Sequence, residues 1–148
     1  MNALTLLAVA LALYGCICTE AQKCNLQGQW RNKLGSNLII ESVSQNGEFT
    51  GTYFTSVSLT NSTIRISPLT GYQKLTEKPT FGFTVHWAFS DSITVWTGQC
   101  FLNEKGEEIL HTMWLLRSSQ EKEQDNWTGT RVGANTFTRL SKKKIRKE

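Results

Sequence analysis

The chain is poor in the residues on which metal and nucleophilic chemistry depend. It has two histidines, His86 and His111, and four cysteines, Cys16, Cys18, Cys24 and Cys100. No Cys/His run has the close spacing of a zinc site, so no metal is expected. No Ser-His-Asp or Cys-His pairing is evident, both histidines fall on outward faces, and the carboxylates lie mostly in turns. No enzyme is therefore expected. Sustained helical periodicity, internal repeats and linkers are also lacking. The one long apolar run, Leu4 to Leu13, is too short to span a bilayer. Formal net charge is only +4, with much of the excess in Lys142-Lys143-Lys144-Ile145-Arg146-Lys147. Residues 141–148 read as a solvated, disordered tail, polyanion binding being the other reading. Neither a specific nucleic acid nor a membrane partner is expected.

Residues 1–21 read instead as a secretory signal peptide, although the run before Leu4 carries no Lys or Arg. Cleavage is expected between residues 18 and 21. Cys16 and Cys18 then leave, and Cys24 and Cys100 remain as an even pair in an oxidising compartment. One disulfide is expected, worth about 4 kcal/mol in the chain-entropy account. Secretion would also give meaning to two sequons, Asn61-Ser62-Thr63 and Asn126-Trp127-Thr128.

The remainder, 22–140, has the length of one domain and is rich in short alternating runs between turns. Strands are expected at Gly28–Asn32, Asn37–Ser44, Glu48–Thr55, Thr63–Ile66, Thr80–Phe89, Ser92–Leu102, Glu108–Arg117 and Trp127–Leu140. Asn46-Gly47 is a hairpin turn. Pro68 to Lys78 reads as irregular, and Gln120 to Asp125 as a charged loop. Antiparallel strands with short connections predict an all-β fold, an eight-stranded up-and-down barrel, in which closure removes exposed edges.

Alternation also sorts the faces. Phe81, Phe83, Val85, Trp87 and Phe89 share one side, and past Ser90-Asp91-Ser92 so do Thr94 and Trp96. Aromatic walls beside small hydroxyls suit a compact ligand with an apolar body and several polar atoms. A barrel core merely filled by rings is the alternative. Ile93, Val95, Ile109, Met113 and Leu115 lie on the opposite faces of adjacent strands, where a solvated wall would be polar. That wall is expected to be buried against another subunit.

Long stretches resemble the avidin family of secreted biotin-binding proteins. They are 34–37, 47–53, 79–87, 97–101, 112–119 and 130–133, and the likeness runs from Lys23 to Leu140. The resemblance implies a homotetramer that binds biotin without reacting with it, needs no cofactor, and sequesters biotin in antimicrobial defence. A lipocalin-like carrier of another small apolar ligand is the alternative.

The resemblance also implies roles. Asn32, Ser36 and Tyr53 would donate to the ureido oxygen, as an oxyanion hole does without a reaction. Thr55 and Asn135 would accept from the ureido N–H groups, and Thr94 would meet the sulfur. Trp87, Phe89, Trp96 and Trp114 would form the cage. Ser58, Leu59, Thr60, Ser90 and Ser92 would meet the carboxylate, and Trp127 would cover the ligand of a neighbouring subunit. Met113, Val132 and Ala134 would lie at one subunit interface. Trp96 stands where egg-white avidin has a Phe, and Ala134 where it has a large aliphatic. Arg131 is expected inside, packed near Trp30 at the barrel end.

Overall fold

The computed structural model describes residues 23–57 and 65–140. The expected leader, the tail, the sequon at Asn61, and Ser58, Leu59 and Thr60 lie outside the described residues.

Eight strands close into one antiparallel barrel in chain order. They are β1 (Gly28–Asn32), β2 (Asn37–Val43), β3 (Glu48–Phe54), β4 (Ser67–Gln73), β5 (Thr80–His86), β6 (Ser92–Leu102), β7 (Glu108–Ser118) and β8 (Thr130–Arg139). Closure comes from β1 against β8, with Trp30 opposite Arg139 and Asn32 opposite Phe137. A 3-10 turn, Glu123–Thr128, precedes β8.

Up-and-down order has a direct consequence for function. Every second connection lies at the same end of the barrel. Residues 33–36, 55–57, 65–66, 87–91 and 119–129 therefore gather at one mouth, while 44–47, 74–79 and 103–107 close the other end. Loops on a rigid scaffold are where binding groups tend to sit.

The closed end is filled with apolar side chains. Leu26, Trp30, Leu38, Ile40, Phe49, Leu69, Leu110 and Phe137 are buried there or along the axis. Cys24 and Cys100 form the expected disulfide, with Cα atoms 6.1 Å apart. It ties the segment before β1 to the far end of β6. The hairpin at Asn46-Gly47 also forms as expected. Gly47 has φ +87, and a Cβ there would stand 2.2 Å from the Gln73 carbonyl oxygen, so glycine is required twice over.

Three expectations are corrected. The fourth strand is Ser67–Gln73 rather than Thr63–Ile66. Pro68 and Gly71 disguise it. Pro68 is exposed, and Gly71 sits where a Cβ would meet the Gly82 carbonyl and the Phe49 and Phe83 side chains. The last strand begins at Thr130, so Trp127 belongs to the 3-10 turn that replaces the end of the charged loop. Arg131 is exposed at the mouth end of β8. The cation that caps Trp30 is Arg139, whose Cζ lies 4.1 Å from the ring centroid. Both arginines share the inward phase of β8. Only Arg139 is carried by the strand's length to the closed end, where it pairs with Glu108 and donates to the Asn25 and Gln27 carbonyls.

Candidate functional site

The mouth half of the barrel interior is polar as well as aromatic. Asn32, Ser36, Thr55 and Thr94 are buried, together with Tyr53, Trp87 and Trp96. Trp114, Phe89 and Asn135 are half-buried beside them. All ten fall on the inward phase of a strand or in the loop that continues it.

Asn32 ends β1 and organises the turn that follows. Its Oδ1 accepts from the Leu34 and Ser36 backbone N–H groups at 3.0 and 2.9 Å. This is Asx-turn chemistry, and it directs the amide nitrogen away from the turn. Ser36 Oγ in turn accepts from the Ser56 N–H at 3.0 Å, joining the first mouth loop to the second. Thr55 Oγ1 donates to the Val57 carbonyl at 2.6 Å and accepts from the Val57 N–H. With its proton committed, that hydroxyl can offer a ligand only a lone pair.

Tyr53 stands among rings, with its centroid 5.6 Å from Trp87, 5.1 Å from Trp96 and 6.3 Å from Phe137. Burial pushes its phenol up to about 12, against a Ser36 side-chain hydrogen bond that pulls it down. Tyr53 therefore remains protonated and able to donate at neutral pH.

Trp87 and Thr94 are linked, the indole Nε1 donating to Thr94 Oγ1 at 2.8 Å. Phe89 lies 5.6 Å from Trp87, and Ser90 and Ser92 share a hydrogen bond of 2.6 Å at the rim. Trp96 stacks on Phe83 at 5.1 Å, and its buried Nε1 has no acceptor among the described residues. Trp96 and Trp114 face each other across β6 and β7. Gly133 makes room for the second ring, since a Cβ there would lie 2.2 Å from Trp114 Cζ2.

Not every named residue gathers here. Trp127 projects into solvent with 81% of its surface exposed. Met113, Val132 and Ala134 are exposed on the outer wall. There Val95, Leu115 and Val132 form a row across three strands, with Thr97, Met113 and Ala134 in the next. A depression of about 580 Å³ beside Gly98, Phe101, His111 and Met113 extends the same wall. Among the described residues no three His, Cys, Asp or Glu side chains are grouped to hold a metal. Sequence reasoning missed Arg139 as the cap of Trp30, although it has the same alternation phase as Phe137. It also missed Arg117, which reaches from β7 to the 3-10 turn and left no pattern to find.

A small closed barrel, filled at one end and holding hydroxyls, amides and five aromatic rings at the other, defines the class: a β-barrel with a preformed polar chamber. The avidin family model matches residues 20–140. Avidin from Gallus gallus is 54% identical over 144 residues, spanning 95% of this chain and 93% of that protein. Avidin-related protein 4/5 of Gallus gallus is also 54% identical, spanning 93% of this chain and 91% of its own length. Among solved structures, that of xenavidin is 97% identical, covers 80% of this chain and all of that one, and superposes with a TM-score of 0.76. A biotin-binding protein from chicken is 50% identical, with coverage of 81% and 99% and a TM-score of 0.78. The chain belongs to the avidin family, and with it is a non-catalytic protein that needs no cofactor.

Proposed function

We propose that this protein captures biotin, one molecule per barrel, without altering it. The observation that carries the reading is the polarity already imposed on the chamber. Asn32 has spent its oxygen on a turn and has its amide N–H groups left. Thr55 has spent its proton on Val57 and has its lone pair left. Tyr53 keeps its proton. Such a set offers donors to one carbonyl oxygen from Asn32, Ser36 and Tyr53, and acceptors to flanking N–H groups from Thr55 and Asn135. A cyclic urea has that pattern. Fixed donors and acceptors need little reorganisation when the ligand arrives, which favours affinity.

Thr94, its hydroxyl oriented by Trp87, meets the ring sulfur. Trp87, Phe89, Trp96 and Trp114 enclose the apolar body. Ser90 and Ser92, with Ser58, Thr60 and the backbone at Leu59, receive the carboxylate. Four barrels assemble through outer walls that include Met113, Val132 and Ala134, and Trp127 covers the neighbour's ligand. Residues 1–21 direct secretion, 22–140 form the barrel, and 141–148 are a basic tail. Asn61 and Asn126 are glycan acceptors. An attachment at Asn126 Nδ2 leaves Oδ1 free to keep its bond from Arg117. The biological role is biotin sequestration in antimicrobial defence.

Titration calorimetry with biotin and desthiobiotin tests the reading. Biotin should bind at one per chain and be recovered unchanged. Desthiobiotin, which keeps the urea and lacks the sulfur, should bind more weakly. Equal affinity for a fatty acid of similar length would overturn it.

A further inference from the structure

The 3-10 turn Glu123–Thr128 buries none of its residues. Apolar packing therefore does not hold it, and its position depends on polar ties. Arg117, on the outer face of β7, supplies two of them, both to Asn126, and a third bond holds its guanidinium to β8. Its Nη1 donates to the Asn126 carbonyl and to Thr130 Oγ1, each at 3.1 Å, and its Nη2 donates to Asn126 Oδ1 at 2.7 Å. The turn closes tightly on the guanidinium. At Gly129 a Cβ would stand 2.9 Å from Arg117 Cζ and Nη1, so a side chain there would have to displace the guanidinium.

Trp127 is the residue this arrangement presents. It follows the doubly tied Asn126 and is 81% exposed. A large indole on an unanchored turn would sample many positions, and docking it elsewhere would cost the entropy of ordering both ring and turn. The planar fork of Arg117 removes much of that freedom beforehand, which a lysine's single ammonium could do only in part. The next two residues extend the tie. Ser118 N–H donates to the Gly129 carbonyl at 2.8 Å, and Ser119 N–H donates to the Asp91 carbonyl at 3.0 Å. Residues 117–119 thus join the turn bearing Trp127 to the turn bearing Ser90 and Ser92.

We infer that Arg117 is a positioning residue for Trp127, setting how long biotin is retained by the subunit that Trp127 covers. This rests on the biotin reading above and adds a residue that touches no ligand. Its effect lies in release rather than capture, because pre-ordering a cover changes what must open.

Four proteins test it: Arg117→Met, Arg117→Lys, Trp127→Ala and the Arg117→Met/Trp127→Ala pair. Release of labelled biotin is measured by chase. Amide exchange across residues 123–129 is measured without ligand. Arg117→Met should speed release about tenfold, the order expected for losing hydrogen bonds from a charged donor, and Arg117→Lys should fall between it and the parent. On the Trp127→Ala background Arg117→Met should add nothing, since its influence passes through that ring. Exchange at Asp125 and Gly129 should rise in Arg117→Met. Unchanged release, an additive effect in the pair, or unchanged exchange each overturns the inference. If the parent protein does not retain biotin, the biotin reading fails, and exchange alone decides whether Arg117 orders the turn.

Discussion

The Trp87 indole nitrogen donates to Thr94 Oγ1 at 2.8 Å, and both residues are buried. The bond crosses from the loop after β5 to the inner face of β6. It fixes the plane of an aromatic wall and at the same time occupies one lone pair of the Thr94 hydroxyl, whose proton is not used in this bond. Thr94→Val keeps the shape but strands the buried indole N–H. Stability should fall by about 1–3 kcal/mol, the cost of a buried donor without a partner. Denaturant unfolding without ligand measures it, and an unshifted midpoint would mean the bond contributes nothing.

Tyr53 predicts an alkaline limit. Its folded-state value of about 12 lies above the ordinary 10.0. The folded protein therefore keeps a proton that the unfolded chain has already lost. The stability tied to this group is complete below pH 10 and is lost as pH rises through 12, a fall of about 2–3 kcal/mol. Unfolding free energy followed from pH 9 to 12 should drop less steeply in Tyr53→Phe. The same variant should bind biotin about 1–3 kcal/mol more weakly, because the ureido oxygen loses a donor.

Arg139→Met tests the closed end. It keeps much of the stem but loses the cation over Trp30, the pair with Glu108 and the bonds to the Asn25 and Gln27 carbonyls. A loss of about 2 kcal/mol is expected. Exposed Arg131→Met is the control and should stay within about 0.5 kcal/mol. Thermal melts of the two variants should differ clearly; equal melts would deny Arg139 its role.

Gly133→Ala should damage the chamber from behind. The added methyl would stand 2.2 Å from Trp114 Cζ2, so the ring must move. Overpacking of this kind costs about 1–3 kcal/mol. Biotin affinity should fall along with stability, and a variant that binds as tightly as the parent would show that Trp114 does not line the site.

Leu115→Lys addresses assembly. Leu115 lies between Val95 and Val132 in the exposed apolar row. A charge there should cost little in the single barrel and oppose the burial of that wall. Sedimentation should show smaller species with an unchanged circular dichroism spectrum. An intact tetramer would move the interface elsewhere.

Much of the chamber was legible in the sequence because strand alternation is a local property. A backbone of period two puts Tyr53 with Phe49, Thr94 with Trp96, and Asn135 with Phe137, whatever the rest of the chain does. The sixth strand, Ser92–Leu102, carries its expected bounds. Alternation also separated Met113 and Leu115 from Thr112 and Trp114, and with them the outer wall from the inner one. β4 escaped because Pro68 and Gly71 are turn residues by composition and strand residues only by virtue of their neighbours. The 3-10 turn around Trp127 escaped because no apolar periodicity marks an element that buries nothing.

By itself the sequence determined that there would be strands, which side chains of each would face inward, that Cys24 and Cys100 would pair, and which family's residues it carries. Tertiary structure alone decided what depends on closure. Joining β1 to β8 set Arg139, and not Arg131, over Trp30. The up-and-down order brought four separate loops to one mouth. Side-chain neighbours then decided that Asn32 presents N–H groups, that Thr55 presents a lone pair, and that Arg117 holds the turn of Trp127. A residue's phase along a strand follows from its own backbone, whereas its end of the barrel and the direction of its hydrogen bonds follow from groups distant in the chain.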